Sequence, residues 1–353
     1  MSTNPFTLAA LATTAVEGLA VVGATEDGSD EHRSQVAARL ADGETALLVL
    51  PRSVSALRTA EEHEAALAAL TPATRSRLPF EVPAVLGSAP AGRSRVFVLT
   101  RLGGTPMRLA DVSPAAPGLA RSVGQAIAAI HELPTSVVSD AGLPHAAAAS
   151  VRQGLLDTFD RAAATGSVPA PLLERWERAL GDDRLWQFKP AVVHGDLQAP
   201  AFRVEGGRVT GLDGWHALSV GDPARDLAFL LGSSEFGSVD EAFEAHAAAR
   251  GIGDRHVRQR AMLHAELDVA RWLLHGVDRG DDAIVTDAAG MLSGLVQRVD
   301  RDPSAAIEPQ RLETMDLAGV QAYLGESARD DDRTAEQRLD AGFDDEREAS
   351  AGR

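Results

Sequence analysis

The stretch from Val192 to Leu231 reads VVHGDLQAPAFRVEGGRVTGLDGWHALSVGDPARDLAFLL and is the most informative part of the chain. It contains a His-Gly-Asp turn at 194–196, an Asp-Gly-Trp turn at 213–215, and a Gly-Asp-Pro turn followed by a further acid, Asp226. Each acid lies beside a short apolar run, where a rigid scaffold commonly holds catalytic or metal-binding carboxylates. The segment therefore predicts a candidate active site built from carboxylates.

The composition excludes several classes of site. The chain has 353 residues and no cysteine, which rules out disulfides, thiolate metal sites and a cysteine nucleophile. Its formal net charge of −17 argues against a nucleic-acid partner, because binding phosphates requires basic patches. Lys189 is the only lysine, so the chain lacks the Gly-Lys-Ser/Thr phosphate loop.

The two ends of the chain indicate in which cellular compartment the protein is expected and which residues are expected to be disordered. The first residues, MSTNPFTLAALATTAVEGLAVVG, lack the basic start and small-residue cleavage site of a signal peptide. Thr13, Thr14 and Glu17 interrupt their apolar stretch, so no membrane span is expected there. The sequence predicts a cytoplasmic protein without a membrane partner, and an acidic, disordered tail over residues 327–353.

Two patterns divide the remainder. Residues 1–103 alternate turns with short apolar runs, GLAVVG, QVAARL, ALLVLP and RVFVLTRL, which predict a small antiparallel sheet. The segment TAEEHEAALAAL has helical spacing and predicts one helix on that sheet. Residues 104–326 are mostly amphipathic helix, with a strand pair turning at Gly206 and Gly207. The prediction is an α+β fold with a small N-terminal lobe and a larger, mainly helical C-terminal lobe.

Together these features resemble the aminoglycoside phosphotransferase and choline kinase-like family, which has a bilobal protein kinase-like fold. The resemblance follows the order of elements from about residue 20 to residue 300 and is specific within 192–231. It is carried by the helix around His131, by His194-Gly195-Asp196-Leu197, by Gly211-Leu212 with Trp215, and by Gly221-Asp222-Pro223-Ala224 with Asp226. The resemblance implies ATP or GTP with Mg²⁺ as cofactors.

The first part of the implied site is the loop after Val193. Asp196 matches the catalytic base, which orients the acceptor hydroxyl, and His194 shapes its turn. The alternative for Asp196 is a local turn hydrogen bond. The family's magnesium-binding Asn corresponds to Ala201, which has no side-chain oxygen, and Gln198 is the substitute candidate for a metal ligand. The alternative for Gln198 is a solvated surface residue.

The second implied metal position lies directly before Trp215. The family has an aspartate there, whereas this chain has Gly214, with Asp213 one residue earlier. A shift of one residue on an extended strand turns a carboxylate to the opposite face, but a bulge at Gly214 would bring it back. Asp213 is therefore a candidate magnesium ligand, and an ordinary turn aspartate is the alternative.

The phosphate-gripping base of the third strand corresponds to Val49. Arg52 lies nearby and is a candidate cofactor-binding residue. Glu64 is the helix acid that would pair with the missing base, and without that partner it is expected at the surface.

The remaining polar residues of the segment are predicted to be structural. The family resemblance implies that the Gly-Asp-Pro turn at Asp222 caps a helix and that Asp226 braces the catalytic loop by accepting backbone N–H bonds. His131 and His216 lack a second ligand at metal spacing, so both are interpreted as hydrogen-bonded structural residues.

Two functions are compatible with this sequence. In the favoured one, phosphoryl transfer is impaired or absent because Val49, Ala201 and Gly214 replace the base, the Asn and the Asp, and the protein is a pseudokinase with an unknown protein partner and no cofactor. The alternative is an active kinase of a small hydroxyl-bearing molecule, such as an antibiotic or an amino alcohol. It would use ATP or GTP with Mg²⁺, Asp196 as base and Asp213 as a shifted metal ligand. A metal-dependent hydrolase is a third and weaker possibility, since no two acids or histidines have convincing ligand spacing.

Overall fold

A computed structural model describes residues 4–251, 253–301 and 307. The first lobe is a five-stranded sheet with three helices. Its elements are α1 (Pro5–Ala15), β1 (Val21–Glu26), β2 (Arg33–Leu40), β3 (Thr45–Pro51), α2 (Val54–Ala69), α3 (Pro72–Arg75), β4 (Val85–Ala91) and β5 (Ser94–Thr100).

The sheet has the strand order β1-β2-β3-β5-β4, and every neighbouring pair is antiparallel. Because successive side chains alternate between faces, β3 contributes to two separate apolar layers. Ala46 and Leu48 are buried in the layer that includes α1. Leu47 and Val49 lie on the other face, in the layer that includes α2 and extends into the second lobe.

Helix α1 covers the outer face of the sheet and was not part of the sequence prediction. Asn4 caps it by accepting the N–H of Phe6 at 2.9 Å, and Pro5 occupies its first turn, where a proline is tolerated. Leu8 and Ala12 are fully buried against the sheet. Thr13 and Thr14 lie within the last turn of the helix, which ends at Ala15. Glu17 therefore lies beyond the end of the helix.

The second lobe is mainly helical and contains short strands around the turns of the 192–231 segment. Its elements are β6 (Thr105–Pro106), α4 (Leu119–His131), α5 (Ser136–Ser139), α6 (Ala148–Ala164), α7 (Ala170–Gly181), β7 (Ala191–Val193), β8 (Phe202–Glu205), β9 (Arg208–Leu212), β10 (Ser219–Gly221), α8 (Ala224–Leu227), α9 (Phe236–Arg250), α10 (Val257–Arg279) and α11 (Asp282–Arg301).

The short strands set the positions of the candidate site. Strands β8 and β9 form the hairpin predicted at Gly206 and Gly207, and β6 pairs with β8. Strand β7 pairs with β10 instead. The His-Gly-Asp turn therefore leaves β7 beside the end of the β8–β9 hairpin, and the Gly-Asp-Pro turn follows β10.

The two lobes meet at the Asp-Gly-Trp turn. Helix α2 packs on the 3₁₀ turn Trp215–Ala217, and Phe80 stacks on the fully buried Trp215 with ring centroids 6.5 Å apart. Glu81 and Gly211 form a parallel backbone bridge between the lobes. The acids of the candidate site thus lie at an interface to which both lobes contribute.

The bilobal α+β prediction is confirmed. The predicted tail over 327–353 lies outside the described residues. In the part of the chain that the structure describes, no helix is both long and apolar enough to cross a membrane.

Candidate functional site

The candidate catalytic loop begins where β7 ends and is shaped by a glycine. Gly195 has φ 86°, and a Cβ at this position would lie 2.4 Å from the carbonyl oxygen of Ala217. A left-handed conformation with so close a backbone neighbour requires glycine. Gly195 thereby lets the chain reverse directly before Asp196.

Asp226 braces this loop, as the family resemblance implied. Its fully buried carboxylate accepts the N–H of His194 at 2.7 Å and the N–H of Gly195 at 2.8 Å. His131 donates from Nε2 at 3.1 Å, and its Nδ1 lies 2.9 Å from Nε2 of His246. Burial alone would raise the pKa of Asp226, but the hydrogen bond and charge of His131 hold it below its ordinary value. The structural role predicted for His131 is confirmed.

Asp222 caps the next helix and also anchors α10. It accepts the N–H of Ala224 at 3.0 Å, as expected for a cap. Arg260 binds its carboxylate through Nε at 2.9 Å, and His264 approaches at 3.2 Å. Burial would raise the pKa of Asp222, but the Arg260 guanidinium brings it well below its usual range. The Gly-Asp-Pro turn is therefore fixed by a buried ion pair that its local sequence does not reveal.

Asp196, the candidate base, is half-buried and lies between two basic side chains. Nε2 of His216 is 3.4 Å from its carboxylate, and Arg225 is 3.9 Å away. Arg225 is itself held by both oxygens of Asp268, at 2.7 and 2.6 Å. The contact with His216 lowers the pKa of Asp196, so the carboxylate is ionised at neutral pH. His216, interpreted from the sequence as a hydrogen-bonded structural residue, has the candidate base Asp196 as its partner.

This pair should leave a signature in the pH dependence of stability. The contact with Asp196 raises the pKa of His216 above 6.5, so its contribution is complete below that pH and is lost as pH rises through the folded-state pKa. Asp196 has a lowered pKa, so its contribution is present above 3.8 and is lost as pH falls through its folded-state value. Urea unfolding of wild type and His216→Gln should show a stability difference that narrows toward alkaline pH. A difference that widens there would contradict the pairing.

Asp213 is held rigidly at the candidate metal position. Its N–H donates to the carbonyl of Ala201 at 3.0 Å, and its own carbonyl accepts Nε2 of His194 at 2.9 Å. Gly214 is left-handed at φ 85° and donates its N–H to Asp213 Oδ1 at 2.8 Å. Because β9 ends at Leu212, Asp213 and Gly214 lie in a turn and not at a strand bulge. The carboxylate of Asp213 faces α2.

The residue that Asp213 faces on α2 is His63. Nε2 of His63 lies 3.7 Å from Asp213 Oδ1, and the two side chains are 14% and 28% exposed. Burial lowers the pKa of His63 to about 4, although the charge of Asp213 opposes this, so the imidazole is neutral at pH 7. His63 did not enter the sequence prediction, because nothing near it in the chain marks a contact with the distant segment 192–231.

The predicted cofactor-binding residues do not meet at this place. Arg52 donates two hydrogen bonds to Ser34 Oγ, at 2.6 and 2.9 Å. Ser34 pairs with Leu50 on the neighbouring strand, and Leu50 packs in the apolar layer that includes α1. This placement does not favour a phosphate contact for Arg52. Glu64 was expected at the surface without a partner, and the structure contradicts this expectation.

Glu64 is instead partly buried and bonded to the sheet. It accepts Ser88 Oγ at 2.8 Å and lies 3.4 Å from Arg95 Nη1, on β4 and β5 respectively. Helix α2 is thus tied to the sheet by an arginine on β5 rather than by a base on β3. Val49 packs against the interlobe apolar core.

Mg²⁺ is the metal that the family resemblance implies, and the residues present do not fit it well. Mg²⁺ requires oxygen ligands in a near-octahedral arrangement. Ala201 and Gly214 offer no side-chain oxygen, and Gln198 is exposed and does not cap the turn that follows it. Asp213 remains, and its neighbour is an imidazole nitrogen. Among residues 4–251, 253–301 and 307, no group of three or more His, Asp or Glu side chains is arranged to hold a metal.

A bilobal fold with this catalytic loop defines the class of kinase-like phosphotransferases. The model of the phosphotransferase enzyme family matches residues 23–264, and the chain belongs to that family.

Solved structures share the fold. Macrolide 2'-phosphotransferase type I is 27% identical with a TM-score of 0.67, over 81% of this chain and 96% of that protein. The macrolide 2'-phosphotransferase MphH of Brachybacterium faecium is 24% identical with a TM-score of 0.68, over 82% and 97%. The GDP complex of aminoglycoside 2'-phosphotransferase-IIIa is 16% identical with a TM-score of 0.68, over 83% and 98%.

A curated relative is the uncharacterized protein YcbJ of Bacillus subtilis (strain 168). It is 29% identical over 133 residues, which are 37% of this chain and 43% of that protein. The match therefore spans less than half of the length of that relative.

Proposed function

We propose that this chain is a phosphotransferase-family protein in which Mg²⁺-dependent phosphoryl transfer is impaired. The observation that carries the proposal is the pairing of Ala201 with Asp213. The Ala201 carbonyl accepts the Asp213 N–H at 3.0 Å, so the backbones of the catalytic loop and of the metal-binding turn are in contact. The scaffold of the site is kept, while the side chains at Ala201 and Gly214 that would supply metal oxygens are missing.

The energetic consequence of these losses is large. Phosphoryl transfer depends almost entirely on positioning and on neutralising the charge of the transferred group. Loss of a single contact of this kind commonly costs about 3–4 kcal/mol of transition-state stabilisation. This chain lacks two oxygen ligands, and Val49 adds no positive charge on β3.

If phosphoryl transfer is impaired, the fold serves to bind a protein partner.

The alternative is an active kinase that uses ATP or GTP and a small hydroxyl-bearing acceptor. Asp196 favours it, because an ionised carboxylate held by His216 and Arg225 can take a proton from a hydroxyl group. Solved structures of this fold include complexes with kanamycin and with gentamicin, which indicates the size and chemistry of the molecules that those proteins bind. The acceptor of this chain would be a hydroxyl compound of comparable kind.

Turnover of nucleotide separates the two functions. We expect wild type with Mg²⁺ and ATP or GTP to form no more nucleoside diphosphate than Asp196→Asn does, with or without aminoglycosides, macrolides or amino alcohols. Asp196→Asn should stay within about 1 kcal/mol of wild-type stability, because partly exposed ion pairs contribute little. Acceptor-dependent turnover in wild type that Asp196→Asn abolishes would establish the active kinase instead.

A further inference from the structure

His63 presents a polar atom that the protein leaves unused. Its Nε2 is buried and has no hydrogen-bond partner among the described residues. The nearest ionisable atom is Asp213 Oδ1 at 3.7 Å, too far for a direct hydrogen bond. A buried polar atom without a partner costs free energy, so its retention calls for an explanation.

The separation of the two atoms is close to that of two ligands of one metal ion. With metal–ligand bonds of about 2.1 Å, two tetrahedral ligands are about 3.4 Å apart. A movement of a few tenths of an ångström would bring both atoms into one coordination shell. The partner atoms are an imidazole nitrogen and a carboxylate oxygen, a combination suited to Zn²⁺ and similar ions and not to Mg²⁺.

We propose that His63 and Asp213 are the two protein ligands of a borderline divalent transition metal ion, of the Zn²⁺ or Co²⁺ type, in the cleft between the lobes. Water or phosphate oxygens complete its coordination. In this site a ligand from α2, His63, takes the place of the oxygen ligands that Ala201 and Gly214 do not provide.

The surroundings of the pair favour a prepared site. The backbone of Asp213 is fixed on both sides by Ala201 and His194, at 3.0 and 2.9 Å. His63 is carried by α2, which packs directly on the turn that follows Asp213. Ligands held by such neighbours lose little freedom when a metal binds.

The other histidine–carboxylate pair of the cleft does not offer an equivalent site. His216 and Asp196 are 3.4 Å apart, but Arg225 lies 3.9 Å from the same carboxylate and is fixed there by Asp268. A fixed cation beside a ligand opposes the approach of a metal ion. The two pairs thus divide the cleft into a metal position at Asp213 and a metal-free position at Asp196.

Co²⁺ titration of the untagged full chain, followed by visible absorption and calorimetry, tests the proposal. We expect one Co²⁺ ion per chain in wild type, competition by Zn²⁺, and none by Mg²⁺ in hundredfold excess. His63→Leu and Asp213→Asn should each weaken binding about tenfold or more. The matched control is His32→Ala, since His32 and Glu31 form an exposed pair at 3.3 Å, and it should bind as wild type does.

The readouts distinguish a metal ligand from a structural histidine. Without metal, His63→Leu should be at least as stable as wild type, because leucine removes the unpartnered polar atom. With Zn²⁺, only proteins that keep His63 and Asp213 should gain in melting temperature. Wild-type affinity in His63→Leu, or equal losses in the His32 control, would overturn the proposal. Nucleotide turnover with Mg²⁺ would overturn the proposed impairment of phosphoryl transfer but not the proposed metal site, because metal binding is measured without nucleotide.

Discussion

Replacing Asp226 with alanine is expected to destabilise the protein by about 3–5 kcal/mol, the usual cost of removing one member of a buried charged network. The carboxylate is fully buried and serves three donors, the N–H groups of His194 and Gly195 and Nε2 of His131. Alanine leaves all three without an acceptor. Each such group costs on the order of 1–3 kcal/mol when it is buried and unsatisfied.

Urea unfolding measures the change, and two variants calibrate it. Asp226→Asn keeps the shape and one acceptor oxygen, so we expect an intermediate loss. Asp278→Ala removes an acid from an exposed pair with Arg161, in which both side chains are 58% exposed, and should change stability by about 1 kcal/mol or less. An Asp226→Ala loss no larger than that of the surface control would show that Asp226 does not brace the catalytic loop.

Restoring the two missing oxygen ligands is expected to restore binding of Mg²⁺ with nucleotide. The double variant Ala201→Asn, Gly214→Asp places an amide and a carboxylate beside Asp213. A Cβ at Gly214 would meet His194 at 3.6 Å, an ordinary contact; the left-handed backbone at φ 85° strains any side chain, although aspartate tolerates it better than most residues. Ligand at one hundred times its dissociation constant adds about 2.7 kcal/mol of stability.

Thermal unfolding with Mg²⁺ and ATP reports this gain. A rise in melting temperature of roughly 5 °C is expected for the double variant, and none for wild type. The matched control carries Ala201→Leu with Gly214→Asp, which has similar bulk and lacks the amide oxygen. If the double variant behaves like this control, the missing oxygens are not what limits the site.

Local patterns of the sequence predicted the scaffold of the site. The turns around Asp196, Asp222 and Asp226 are defined by neighbouring glycine and proline residues, whose backbone preferences act within a few positions. The β8–β9 hairpin was therefore readable from the chain, whereas the helix cap at Asp222 and the brace at Asp226 followed from the family resemblance.

Contacts between distant segments were not readable in the same way. His63 meets Asp213, and Glu64 meets Arg95, only because α2 packs between the sheet and the second lobe. His63 and Glu64 are consecutive residues of α2, so they point in different directions from the helix axis. The periodicity of the helix alone does not determine which of them faces the cleft. The partner of His216 was not readable for the same reason, since Asp196 lies on another element.

The cleft between the lobes is expected not to bind Mg²⁺ together with a nucleotide. Calorimetric titration of the full chain with Mg²⁺–ATP and Mg²⁺–GTP tests it most directly. The account predicts no saturable binding, that is, a dissociation constant weaker than about 1 mM, the upper end of common KM values. Saturable micromolar binding that requires Mg²⁺ and disappears in Asp213→Asn would contradict it.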